Sequence, residues 1–248
     1  MIKRFAIFFM PLIFVFACKT EKQRDANTII DKAIAVSGGH KIDASKISFT
    51  FRDKFYSATR NKGEFLLTRS FVSTKDSIQD LLNNEGFNRL VNKKKVKVID
   101  SMATKYAASV NSVHYFSVLP YGLQSNAVNK TFLGETKIKN TAYYKIKVTF
   151  DEAGGGEDFE DVFVYWVNKE TFKVDYLAYS YEEGKGIGFR FREAYNERYI
   201  KGIRFVDYNN YKPQTGSVKL QSLDELFQQE KLQLLSKIEL QNVKVDFY

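Results

Sequence analysis

The sequence predicts a mainly β protein of the α+β kind: a single curved antiparallel sheet forming an open half-barrel, covered on its concave face by a few helices. Three observations carry this expectation. Apolar and polar residues alternate with period two along much of the chain, as in strands with one dry and one wet face. Breaks containing glycine and asparagine recur at hairpin intervals, too short for helical crossovers. A few segments instead carry helical spacing.

Taken in order, Thr28 to Ser37 reads as a helix with Ile29, Ala33 and Ile34 on one side and Gly38-Gly39 as its stop. Ile47, Phe49 and Phe51 then alternate with Ser48, Thr50 and Arg52, the signature of a strand. Asn61-Lys62-Gly63 and Asn83-Asn84-Glu85-Gly86 mark hairpin turns. Lys93-Lys94-Lys95 with Lys97 lies between two apolar runs and reads as a solvated turn. A second helix spans Ser101 to about Val118. Alternation returns at Tyr144-Ile146-Val148-Phe150, and again at Phe189 and Phe191 against Arg190 and Arg192.

Val162 to Val167 and Tyr176 to Tyr179 are apolar on both faces, so a further layer, read as helix, must cover the second face. Ser222 to Leu235 supplies a third helix, with Ser222 and Glu225 in capping-box positions and Leu223, Leu226, Phe227 and Leu234 as its stripe. The last run, Ile238-Leu240 followed by Val243-Val245-Phe247, changes face, and a bulge near Gln241-Asn242 explains the change.

The amino terminus speaks to location. Lys3 and Arg4 precede an apolar run from Phe5 to Phe16, and the small Ala17 stands before Cys18, the only cysteine. That is the layout of a bacterial lipoprotein signal, with cleavage before Cys18 and diacylglycerol on its thiol. The run is shorter than the ~18–20 residues of a membrane-spanning helix. An ordinary secretory signal would want a small residue three positions before the cut. Residues 1–17 are thus read as signal peptide, 18–27 as a lipidated flexible tether, and 28–248 as one domain without an internal linker. Lys19, rather than an aspartate, follows the lipidated residue, which directs the expectation to the outer membrane, facing the periplasm or the cell surface. A lone cysteine leaves the fold without a disulfide.

The formal charge is +9, but the lysines are scattered among aromatic strands rather than gathered on one face, so no nucleic-acid partner is expected. His40 and His114 fit no zinc spacing, and no nucleophile elbow, phosphate loop or dinucleotide loop occurs, so neither an enzyme nor a cofactor is expected. His114 reads as a satisfied, half-buried histidine. The turn from Gly154 to Asp161 places Glu157, Asp158, Glu160 and Asp161 close together. Such a set could hold a hard cation such as calcium, yet its spacing is not that of an EF-hand, and a solvated hairpin is the preferred reading.

Several uncommon strings occur in order: Ser37-Gly38-Gly39, Phe49-Thr50-Phe51-Arg52-Asp53, Val110-Asn111-Ser112-Val113-His114-Tyr115-Phe116, Leu119-Pro120-Tyr121, Tyr165-Trp166 and Asp175-Tyr176-Leu177-Ala178-Tyr179. In these the chain resembles a family of Bacteroidota lipoproteins, the DUF6503 type, from about Thr28 to the carboxyl terminus. The resemblance brings no activity with it. It implies an architecture similar to that of the outer-membrane lipoprotein-sorting proteins of the LolA/LolB kind, in which helices close an open sheet over a hydrophobic cavity.

Helices laid on a curved sheet leave a gap, and aromatic residues make up 15% of the chain. The expected function is binding of an acyl chain or other hydrophobic ligand, with Phe49, Phe51, Trp166 and Phe191 as candidate cavity residues. The alternative is a non-catalytic accessory or structural subunit of an envelope complex. Membrane contact is through the lipid on Cys18.

Overall fold

The computed structural model describes residues 25–154, 159–183, 186–214 and 218–248. Cys18, the leader and most of the tether, together with Glu157 and Asp158 of the acidic turn, lie outside the described residues.

The chain folds into two antiparallel sheets of seven strands each, neither closed on itself. The first holds β1 (Ala44–Phe51), β2 (Lys54–Asn61), β3 (Glu64–Ser73), β4 (Asp76–Asn83), β5 (Gly86–Val91) and β6 (Lys94–Val96), with β14 (Gln241–Phe247) beside β1. The second runs in sequence through β7 (Val128–Ile138), β8 (Thr141–Phe150), β9 (Val162–Asn168), β10 (Val174–Glu183), β11 (Gly186–Ile200), β12 (Ile203–Pro213) and β13 (Leu232–Ile238). Tight turns join the strands, and the lysine run read as a turn is one only at its start, since Lys94 and Lys95 belong to β6. Lys62-Gly63, Asn92-Lys93 and Lys201-Gly202 each put two successive residues at positive φ, the twist that suits a two-residue hairpin loop.

The expected single sheet is therefore corrected to two open sheets. Hairpin spacing specifies that neighbouring strands pair, but it says nothing across the long connection that carries α2 (Asp100–Ser117) from β6 to β7. The chain crosses back only at its end, where β13 pairs with β12 in one sheet and β14 pairs with β1 in the other. The change of face after Ile238 is this switch of sheets. A bulge is present too: Ser48 and Thr50 oppose Lys244 and Gln241, and Asn242 sits at φ 54.

Helix α1 (Ala26–Val36) starts at Asp25, whose carboxylate accepts from the backbone N–H of Asn27 and of Thr28 at 3.0 and 3.3 Å. Its Ile29, Ile30 and Ala33 pack on Tyr144, Ile146, Tyr165 and Val167 of the second sheet. Helix α2 lies over β3, β4 and β5, and its last turn reaches the second sheet, where Tyr115 meets Phe163 edge-on and Phe116 is tilted against it.

The opposite face of the second sheet is equally dry. There Val164, Trp166, Tyr176, Ala178 and Phe191 are covered by a 3-10 turn (Leu220–Ser222) and α3 (Leu223–Gln228), the cover that the two-faced apolar strands demand. The third helix is shorter than its spacing suggests. Glu230 at φ 58 reverses the chain, Lys231 donates to the carbonyl of Leu226, and Leu232 onward is strand, leaving Leu234 exposed rather than on a helical stripe. A helix this short holds through packing, not propensity.

Candidate functional site

A cavity of about 650 Å³ lies where the β1–β2 turn, the carboxyl-terminal half of α2 and the inner face of the second sheet meet. This is within the ordinary range of small-ligand sites. Strand alternation sets its wall: Phe163 on β9, Tyr179 on β10, Val206 and Tyr208 on β12 project from one face, while α2 brings Val113, Tyr115 and Phe116 against them. The rings form one continuous surface, with Phe163 stacked on Tyr165 and Tyr179 at 6.0 and 5.3 Å and Phe116 tilted on Tyr179 at 5.2 Å. Arg52, Asn111, Glu160 and Glu182 are exposed and make a polar rim.

Two phenols in this region meet hydroxyl to hydroxyl, Tyr115 and Tyr165 at 3.4 Å. Burial pushes Tyr115 up to about 12 and Tyr165 well above its ordinary value, so this wall carries no charge at neutral pH.

Charge enters through arginine. Arg192 on β11 is 7% exposed and points to the cavity side of the sheet. Its guanidinium lies 3.8 Å from the ring centre of Phe116 and 5.1 Å from that of Tyr179, and Nη2 donates to the Tyr179 hydroxyl at 2.9 Å. Arg190, two residues earlier on the same face, also lines the cavity.

Of the residues expected to form the cavity, Phe51 lines it. Phe49 is packed in the core instead, stacked on Tyr56 at 5.5 Å with the His114 ring edge-on at 5.8 Å. Trp166 and Phe191 lie on the far face of the second sheet, 5.4 Å apart, with Phe227 of α3 at 5.0 Å from Phe191. Their assignment to the cavity is corrected by parity: residues one position along, Tyr165 and Arg192, face the other way. Glu160 and Asp161 are at the cavity margin, and among the described residues no three His, Cys, Asp or Glu side chains are grouped to hold a metal. His114 is fully buried rather than half-buried, with Nε2 3.0 Å from the Thr68 carbonyl, and burial pushes it down to about 4.

The arginines of the cavity were not foreseen. Their signal is the strict alternation with Phe189 and Phe191, which assigns them to whichever face the phenylalanines leave, and only α2 and the β1–β2 turn packed over that other face reveal that it lines a cavity.

Fold and site together define a two-sheet antiparallel β protein with an internal amphipathic cavity. The chain belongs to DUF6503, a family of unknown function, whose model matches residues 3–240. No curated protein matches the sequence. Among solved structures it is similar to a LolA superfamily protein from Nitrosomonas europaea, at 11% identity and TM-score 0.48 over 89% of this chain and 91% of that one. It is also similar to an outer membrane lipoprotein-sorting protein domain from Vibrio parahaemolyticus, at 11% identity and TM-score 0.45 over 90% and 92%. A DUF1329 family protein from Desulfovibrio piger gives 12% identity and TM-score 0.40 over 89% and 93%.

Proposed function

We propose that this protein binds an acyl chain or other hydrophobic small molecule in the cavity, and that it does so in the cell envelope, tethered to the outer membrane through a lipid on Cys18. The observation that carries the binding proposal is the cavity itself, about 650 Å³ with a wall of Phe and Tyr rings. Placement in the envelope rests on the basic start, apolar run and Ala17-Cys18 junction. Residues 28–248 act in this proposal as one ligand-binding domain, without catalysis and without a cofactor.

Burial of a methylene contributes about 0.8 kcal/mol, so about ten of them supply about 8 kcal/mol. Association costs about 4–15 kcal/mol, so a chain alone gives modest affinity and a contact to its head group decides whether binding is useful.

Mass spectrometry of protein purified from the envelope tests both parts. Intact-mass spectra are expected to show a diacylglyceryl adduct confined to the peptide that contains Cys18, and organic extracts to release a non-covalent apolar molecule in stoichiometric amount. An unmodified cysteine contradicts the anchor. An extract without such a molecule, together with failure to take up an added fatty acid, contradicts the cavity's role.

A further inference from the structure

Among the described residues three arginines are buried as whole residues, Arg69, Arg192 and Arg204, and two of them pair with carboxylates; the half-buried Arg60 also leaves a buried Nη1 without a hydrogen-bond partner. Arg69, 7% exposed, donates to Asp80, which also accepts from Arg89. Arg204, 5% exposed, reaches Glu197 at 2.6 Å and Asp175 at 3.6 Å. Arg192 is as deeply placed as Arg69, yet no carboxylate pairs with it among the described residues, and its Nε has no hydrogen-bond partner. Aromatic rings supply its surroundings on the Phe116 and Tyr179 sides. Cation–π contact offsets only part of what an ion loses when it is taken out of water.

A second orphan stands beside it. Asn210 on β12 is the direct cross-strand partner of Arg192, is likewise 7% exposed, lines the same cavity, and leaves Oδ1 unpartnered while its Nδ2 donates to the Ser236 hydroxyl at 3.1 Å. A serine hydroxyl donates as readily as it accepts, so the amide can turn and present its NH₂ end to the cavity. Tyr179, which accepts from Arg192, keeps its own proton for an acceptor. The Arg192 cation and up to two further donors thus converge on one patch beside the aromatic wall, and Arg190 lines the same cavity. Of the carboxylates that line the cavity, Glu160 and Glu182 are at the exposed rim, where solvent screens them, and Asp161 at the margin is half-buried.

We propose that the cavity takes an amphiphile with an anionic head, a carboxylate or a phosphate, bound by the Arg192 guanidinium with Asn210 and Tyr179 beside it. The inference rests on the cavity reading given above and adds the chemistry of the head group. A planar guanidinium suits both anions, and a charge-assisted hydrogen bond in a dry site is among the stronger polar contacts.

The test is titration of the full-length chain, freed of bound lipid, with dodecanoate, dodecyl phosphate and dodecan-1-ol. At least one of the two anions is expected to bind about tenfold or more tightly than the alcohol of the same length. The anion that shows the preference identifies the head group. In Arg192→Met the anion falls to the level of the alcohol, the alcohol is unchanged, and the thermal midpoint is not lowered, because an unpaired buried charge has been removed. Equal binding of anions and alcohol by the parent overturns the head-group assignment while leaving the cavity reading intact, and this comparison needs no variant. An anion preference that survives in Arg192→Met also overturns it. If none of the three binds, the cavity reading itself fails.

Discussion

At the scale of single residues, two buried side chains show how environment sets chemistry. Arg192 is laid against the ring of Phe116, whereas His114 gives its charge up: enclosed by Phe49 and Tyr56, with Nε2 against the Thr68 carbonyl, it is held neutral and pushed down to about 4. The unfolded histidine, near its ordinary value of about 6.5, binds its proton first as pH falls. Between pH 6.5 and 4 the unfolded state therefore holds more protons, and stability contributed by neutral His114 is lost across that window, about 3 kcal/mol in all. Thermal unfolding measured from pH 7 to 4 is expected to show a shallower decline in His114→Gln, which keeps a donor for Thr68, than in the parent. Parallel declines would show that His114 is not the titrating group. From sequence, His114 was legible as structural, because Tyr115 and Phe116 adjoin it in a helical run. Arg192 was not, since an arginine alternating with phenylalanines reads as the wet side of a strand until the dry side proves to be double.

At the scale of elements, the strands were legible where a local rule decides them. Period two located β1, β8 and β11, runs apolar on both faces located β9 and β10, and left-handed turn residues such as Lys62-Gly63 located the hairpins. Elements decided by distant contacts were not. Leu234 continues the helical spacing of Leu223 and Leu226, and only pairing with β12 makes its segment strand. The Gly38-Gly39 stop was legible as the end of α1, but its second role is tertiary. A Cβ on Gly38, at φ 71, would lie 2.0 Å from the backbone oxygen of Gly202 in the β11–β12 turn, so glycine lets the helix end dock against that hairpin. Gly63 has a comparable φ of 89 but open space around it. Gly63→Ala is expected to cost about 1 kcal/mol from conformation alone, and Gly38→Ala about 2–4 kcal/mol because the backbone must also move. Chemical denaturation of the two variants checks the difference. Equal losses would show that the close approach at Gly38 carries no stability.

At the scale of the whole molecule, the two sheets and α2 create a space that neither sheet has alone. Phe51 reaches it from the first sheet, Phe163, Tyr179 and Tyr208 from the second, and Phe116 from the helix between them. Aromatic abundance announced such a lining in general, while its membership depended on strand parity and on which strands share a sheet, and neither can be read from alternation within one strand. The central claim is that this space holds an apolar molecule. Ser112 on α2 lines the cavity and is only half-buried. The most direct test measures dodecanoate uptake by the parent and by Ser112→Trp, with circular dichroism to confirm that both are folded. Loss of uptake in the folded variant is the predicted result; undiminished uptake with the cavity filled would place the ligand elsewhere and contradict the claim.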